Sequence, residues 1–397
     1  MVAGRLLPTW AMLRTLSRAR RTEQWAEVKS ILKQRWFSVL RPSKWSSTGA
    51  IGENSKSNSQ PPALFRMASG YWLSQAIYVA AKLGLADLLK DGPKPSGELA
   101  AATGADEQAL FRLMRALSST GILVHLQNDC FALSRLGENL QSDVPGSMRA
   151  IVITLGEIHY QAWGNLLHSV RSGSPAFNSV FGMGLFEYLQ RDAEAADAFN
   201  KGMTDVSSML AYAVMMAYDF SGISSIVDVG GGHGTFLQRI LGLNPDIIGT
   251  IFDLEPAITK AKQRLNGERF GGRCSAVAGD FFDSVPEGAD AYILCSVIHD
   301  WHDDRSIKIL RNCRKAMAKN GRLLLVEMVV PDGDTNCYSK LLDLNMLVMT
   351  EGRERTRAEF STLLDAAGYK LTRIVPTLAP QSVIEAVPGN SRRTIYD

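Results

Sequence analysis

The spacing of apolar residues divides the chain into stretches of different character. From residue 64 to 89 they recur at helical period, up to Asp91-Gly92-Pro93. They are more numerous than one packed face requires, which predicts a helix burying more than one face. Residues 96–103 and 107–119 predict two further helices around Thr103-Gly104-Ala105-Asp106, with Asp106 as the N-cap of the second. Residues 121–126 and 130–133 then read as two short strands about Gln127-Asn128-Asp129. Residues 147–220 read as mostly helical. Beyond 221 the apolar runs shorten into strands at 225–229, 247–252, 274–278, 289–297 and 322–330, alternating with helical stretches. That alternation predicts βαβ units, a parallel sheet and an α/β fold. Thr356 and Glu359 form a capping-box pattern for a helix over 357–367. The expected organisation is an extension over 1–61, a mostly helical domain over 62–220, an α/β domain over 221–388 and a tail over 389–397.

Composition changes this picture little, but charge does. The 397 residues are 46% hydrophobic and 21% charged, which excludes a disordered chain or a fibrous repeat. The formal net charge of +3 hides two unlike parts. Residues 1–60 hold eleven Lys and Arg against three acids, a net +8, and the remainder carries −5. A mildly acidic body argues against a nucleic-acid binder held by phosphate contacts. No uncharged apolar stretch reaches the ~18 residues of a membrane span. The five scattered cysteines form no C-x-x-C pair, which predicts free, mostly packed thiols in a reducing compartment, the cytoplasm. The Arg- and Ser-rich start, free of acids before Glu23, resembles an organelle transit peptide, so a mitochondrion or other organelle is the alternative address. An extension without function and, given its four tryptophans, one touching a membrane surface stand beside that reading.

Helix, turn, helix and hairpin over 96–133 make a winged-helix pattern. Such a unit reads DNA or serves as a dimerisation scaffold. Its second helix offers only Arg112 and Arg115 among Phe111, Leu113, Met114 and Leu117, too few polar groups for reading base edges, so dimerisation is favoured. His159 and His168, singly placed on helices, read as packed or surface residues.

The candidate chemistry lies at the strand ends. Strand 225–229 carries Asp228 and runs into Gly230-Gly231-Gly232-His233-Gly234-Thr235, a glycine turn before a helix that lets a ligand approach the backbone. The turn is not G-x-G-x-x-G. Asp253 ends the second strand, where an acid suits a ribose diol. Gly279-Asp280-Phe281-Phe282 follows the third, bringing a carboxylate and an aromatic ring to a base. Acids at three successive strand tips suit a neutral or cationic nucleoside better than a pyrophosphate. The spacing resembles that of S-adenosylmethionine-dependent methyltransferases.

The segments Ile298-His299-Asp300-Trp301 and Asn345-Met346-Leu347-Val348-Met349-Thr350-Glu351-Gly352-Arg353-Glu354-Arg355-Thr356 narrow the match. They resemble the caffeate/flavonoid-type and acetylserotonin-type O-methyltransferases, over about residues 64–388. The resemblance implies a Rossmann-like methyltransferase domain behind a winged-helix dimerisation domain, a homodimer, and S-adenosylmethionine without a metal. It implies His299 as general base flanked by Glu327 and Glu354. Asp228, Gly230, Gly232, Asp253, Asp280, Phe281, Trp301 and Ser207 fall on its donor site, and Met203, Asn345, Met346 and Met349 on its acceptor wall. Many relatives carry Lys or Arg where this chain has Cys295, so one contact to the donor or a neighbouring loop is expected to be missing. The competing reading of His299-Asp300-Trp301-His302-Asp303-Asp304 is a metal cluster, although Asp303 and Asp304 also suit a helix start.

The implied reaction is transfer of a methyl group to a hydroxyl of a small aromatic or polyketide-like molecule. A phenol at ~10 and a histidine at ~6.5 leave about 5 kcal/mol for full deprotonation, which coupling to methyl transfer would avoid. The same fold and cofactor also allow N- or C-methylation, decarboxylation or hydroxylation. A non-catalytic dimeric binding protein is the alternative outside enzymes.

Overall fold

The computed structural model describes residues 60–389 except 145, 266–269, 271 and 336. The basic extension up to residue 59 and the tail from 390, with the targeting and membrane-contact readings, lie outside the described residues. The chain forms two compact units that divide between Val206 and Ser207, earlier than the expected boundary at 220/221.

The first unit opens with helices α1 (Gln60–Ala68), α2 (Gly70–Lys82) and α3 (Leu85–Leu88). One helix over 64–89 is thus corrected to three. Gly84 takes the left-handed conformation (φ +68°), which only a residue without Cβ adopts cheaply, and α3 starts there. Ala80, Ala81, Leu85 and Leu89 are buried, while Leu64, Phe65, Met67, Tyr71, Trp72 and Leu73 are exposed. α4 (Ser96–Thr103) and α5 (Glu107–Ser119) have the expected bounds, and Asp106 caps α5 by accepting the Ala109 amide at 2.8 Å. Strands β2 (Leu123–His125) and β3 (Cys130–Leu133) form the hairpin, with Asn128 and Asp129 both at positive φ in its turn. A third strand, β1 (Lys94–Pro95), pairs with β3 and completes the wing. The core of this unit is Leu99, Leu110, Met114, Leu117 and Phe131. Short helical segments occupy 137–191.

The long helix α6 (Ala193–Ala217) carries Met203 in the first unit and Ser207, one turn later, in the second. The second unit is a sheet with helices on both faces. Its strands are β4 (Ser225–Val229), β5 (Ile248–Asp253), β6 (Cys274–Ala278), β7 (Ala291–Cys295), β8 (Arg322–Val330), β9 (Arg355–Thr356), β10 (Tyr369–Pro376) and β11 (Gln381–Pro388). The order is β10-β11-β8-β7-β4-β5-β6, with β9 beside β8. Strands β4 to β8 run parallel, and the unpredicted hairpin β10–β11 closes one edge antiparallel. Both faces are covered, so the central strands are almost continuously apolar. One face packs Ile309, Leu310 and Cys313 of α9 (Asp303–Ala316) and Phe360, Leu363 and Leu364 of α11 (Arg357–Ala366). The other packs Leu237, Ile240 and Leu241 of α7 (Thr235–Leu243) and Ile258 and Ala261 of α8 (Glu255–Leu265). Between β8 and β9 runs α10 (Tyr338–Met349). The reciprocal capping box of Thr356 and Glu359 starts α11.

None of the five cysteines is paired. Cys313 is buried in one core cluster and Cys274 and Cys295, half-buried, pack against the other, as the expectation of mostly packed thiols has it.

Candidate active site

The carboxyl ends of the parallel strands gather the polar residues, as open α/β sheets require. Between Asp228 and α7 the glycine turn folds back on β5, with the Gly230 and Gly231 amides donating to Phe252 O at 2.9 and 3.2 Å. Gly230 (φ +73°) and Gly232 (φ +56°) hold left-handed conformations, and a Cβ at 232 would meet nothing within 4 Å. Gly232 therefore presents bare backbone to open space, while a Cβ at Gly230, Gly231 or Gly234 would collide with Val297, Asp228 or Ile251. Asp253 ties the turn down: Oδ2 accepts the Gly232 amide and Oδ1 the Leu254 amide, both at 2.7 Å.

Asp228 is 1% exposed and its Oδ2 has no partner. Burial, and then the charge of Asp253, push its carboxyl up to about 7. Asp253 is also raised by burial, against the lowering effect of its two amides. Cys295, two residues beyond the Ile293 that pairs with Asp228, brings no cation to this edge. Burial drives its thiol well above the ordinary range, and the charges of Asp228 and Glu327 drive it further.

At the third tip, Asp280 Oδ1 accepts the Phe282 amide at 2.8 Å, and Asn312 of α9 donates to Phe281 O at 2.8 Å. Phe281 and Trp301 meet edge to face with centroids 6.1 Å apart. Two members of this group were not anticipated. Phe282 stands perpendicular to Trp301 at 4.9 Å, and the Arg305 guanidinium lies 4.2 Å from the Phe282 centroid and 4.5 Å from that of Trp301. Such stacking immobilises an aromatic wall. A repeat of Phe was the available signal for Phe282; Arg305, in the first turn of α9, carries none.

His299 sits in the short 3-10 turn Ile298–Asp300 that follows β7. Its Nδ1 is 2.9 Å from Glu354 Oε1 and 3.5 Å from Glu327 Oε2, while Nε2 is 3.7 Å from Asp300 Oδ1. Glu327 is fully buried and its Oε1 accepts the amides of Val297 at 3.0 Å and Ile298 at 2.8 Å. The Oε2 atoms of both glutamates have no hydrogen-bond partner. Two carboxylates at Nδ1 make that nitrogen the N–H and leave Nε2 as the basic atom. Burial alone would lower the imidazole, but Glu327, Asp300 and Glu354 outweigh it and raise it to about 10. Burial lifts Glu327 to about 7 and Asp300 to about 6, both against the pull of His299.

The hexapeptide 299–304 does not itself form a metal-like cluster among the described residues. The donor atoms that come within 4.8 Å of one another there are those of His299, Glu327 and Glu354. Asp303 instead starts α9 and pairs with Arg353 and Arg355. On α10, Met346 (7% exposed) and Met349 (1%) are buried and Asn345 is half-buried.

Residues 163–370 match the model of an O-methyltransferase domain, and residues 65–142 that of an O-methyltransferase dimerisation domain. The chain belongs to the O-methyltransferase family. It is 44% identical to phenazine O-methyltransferase PhzM of Lysobacter antibioticus, over 85% of this chain and 99% of that protein. It is 35% identical to phenazine-1-carboxylate N-methyltransferase of Pseudomonas aeruginosa, over 79% of this chain and 92% of that one. The structure of human N-acetylserotonin methyltransferase in complex with S-adenosylmethionine superposes with a TM-score of 0.78 at 29% identity, covering 85% of this chain and 100% of that one. The chain is an S-adenosylmethionine-dependent methyltransferase. Open backbone at Gly232, an orphaned buried Asp228 oxygen and the neighbouring acid Asp253 fit a cationic nucleoside.

Proposed function

We propose that this chain is a homodimeric O-methyltransferase acting on a hydroxyl of a small aromatic acceptor, with His299 as general base. The observation that carries the reading is the His299 Nδ1–Glu354 Oε1 contact of 2.9 Å, which commits Nδ1 and leaves Nε2 to take a proton. S-adenosylmethionine supplies an electrophilic methyl group on a sulfonium. The residues that would hold it are the turn at Gly230 and Gly232, the carboxylates of Asp228, Asp253 and Asp280, the rings of Phe281 and Trp301, and Ser207. Asn345, Met346 and Met349 would shape the acceptor side.

With His299 raised to about 10, proton transfer from a phenol at ~10 to the neutral imidazole is nearly thermoneutral, and the neutral form that accepts the proton grows as pH rises towards 10. An ordinary histidine would leave about 5 kcal/mol uphill. Glu327 and Glu354 stabilise the imidazolium that forms and hold its orientation. The dimerisation-domain match and the exposed Phe65, Met67, Tyr71 and Trp72 support a homodimer. Unpaired cysteines support a reducing, cytoplasmic setting, and among the described residues no helix is long and apolar enough to cross a membrane.

A second reading, N-methylation, has a specific basis in the phenazine-1-carboxylate N-methyltransferase relative. Incubation with methyl-labelled donor and matched phenol, carboxylate and aromatic-nitrogen acceptors decides between them. Label in an ether supports the proposal; label exclusively on nitrogen overturns it.

A further inference from the structure

Segment 352–356 touches the His299 turn in two ways. Glu354 meets the imidazole ring. The next residue, Arg355, has its side chain on the other side of an extended backbone, as strand alternation requires, and grips the main chain instead. Its guanidinium is fully buried. Nη1 donates to Ile298 O at 3.1 Å, and Nη2 donates to Trp301 O at 2.9 Å. These two carbonyls bracket His299 and Asp300. Nε and Nη2 both reach Asp303 Oδ1, at 3.0 and 2.8 Å, so the buried charge is paired. Ser306 Oγ, 3.3 Å from Nη2, donates to the same two carbonyls. Gly352 completes the contact from the same segment: a Cβ there would lie 1.8 Å from His299 O.

We infer that Arg355 is a positioning residue for methyl transfer, a guanidinium clamp that fixes the His299 turn so that the imidazole meets Glu354 and Glu327. The inference rests on the reading of His299 as general base. Arg355 is not a catalytic residue, since it contacts backbone carbonyls and Asp303 and not the imidazole. Lysine is a poor substitute, because one ammonium cannot span the carbonyls of residues 298 and 301 and the Asp303 carboxylate in a single plane. Displacing a proton acceptor by about 1 Å costs on the order of 100-fold in rate.

The test uses the full chain labelled at histidine Cε1, with the His299 resonance assigned by its loss in His299→Gln. The carboxyls facing the imidazole are Glu327 from β8, Glu354 before β9 and Asp300 from the turn itself. In Arg355→Lys the His299 titration midpoint is expected to move down by at least about one unit. Turnover is expected to fall about 10- to 100-fold, with S-adenosylmethionine affinity by calorimetry held within about threefold. Gly352→Ala, which displaces the same turn without touching Arg355, is expected to shift the resonance in the same direction. It keeps the test open if Arg355→Lys fails to fold. An unmoved His299 resonance in the folded variants overturns the inference even where melting temperature falls. So does a loss of donor affinity as large as the loss of turnover. His299→Gln separately tests the underlying reading: unchanged turnover there overturns the general base, while the titration shifts still report the clamp.

Discussion

Glu327 spends one oxygen on the Val297 and Ile298 amides and aims the other at His299, 3.5 Å from Nδ1. The carboxylate that raises the imidazole is thereby held by the backbone leading into the same turn. The consequence is an imidazole that remains protonated through neutral pH. Because burial is outweighed by three carboxyls and His299 stands at about 10, kcat/KM is expected to keep climbing as pH rises from 7 towards 10. An unperturbed histidine would level off just above ~6.5. Glu354→Gln should move the rising limb to lower pH and reduce the plateau. The acceptor's own ionisation is common to both proteins, so the displacement between the two profiles is the measurement. Superimposable profiles would count against the cluster.

His299→Gln keeps an amide of similar reach but cannot take a proton. Turnover should fall by about 100-fold or more, while S-adenosylmethionine binding by calorimetry stays near the wild-type value. A variant that turns over its acceptor at full rate assigns the base elsewhere.

Asp253 organises the glycine turn, and its proposed second role is to hold a ribose diol. Asp253→Ala is expected to weaken donor binding by about 10-fold or more, from loss of charge-assisted hydrogen bonds. Asp253→Asn should weaken it less. Equal donor affinity in the alanine variant would remove the ribose assignment.

Phe65 and Trp72 pack edge to face with centroids 6.1 Å apart, yet are 63% and 58% exposed. The double change Phe65→Asp, Trp72→Asp is expected to halve the mass seen by light scattering, because burying two added carboxylates in an apolar interface is prohibitive. A dimer that persists places the interface on other residues.

Thr356→Ala removes one half of a reciprocal capping box and should cost about 1 kcal/mol of stability in chemical denaturation. A cost near zero would mean that packing of α11 alone defines its start.

Much of this was legible in the sequence because it is local. β4, β6 and β8 have the bounds their apolar patterns predict, and the turn at Asn128 and Asp129, the Asp106 cap and the capping box follow from short-range chemistry. What was not legible depends on distant partners. β1 is two residues long and half proline, a strand only because β3 lies beside it. The hairpin β10–β11 carries no motif, and its register is set by β8. The break in 64–89 did have a signal, Gly84, which apolar periodicity overrode. The site divides similarly. The tip acids and His299 announce themselves by following strands, but Arg355 stands out in sequence only as one member of the 345–356 segment, and its full burial depends on carbonyls 54 and 57 residues away in sequence.

Glu327 lies within β8, and Glu354 immediately precedes β9, whose Arg355 and Thr356 pair with Val329 and Val330 of β8. The two glutamates are therefore spaced by a main-chain ladder, whereas Asn345, Met346 and Met349 ride on a helix. The same helix also touches the cluster, because its Asp343 Oδ1 accepts the Glu354 amide at 2.9 Å. If Asn345, Met346 and Met349 line the acceptor as proposed, exchanging the 338–349 helix between relatives with Asp343 retained should change which molecules are accepted while leaving the acid–base profile where it is.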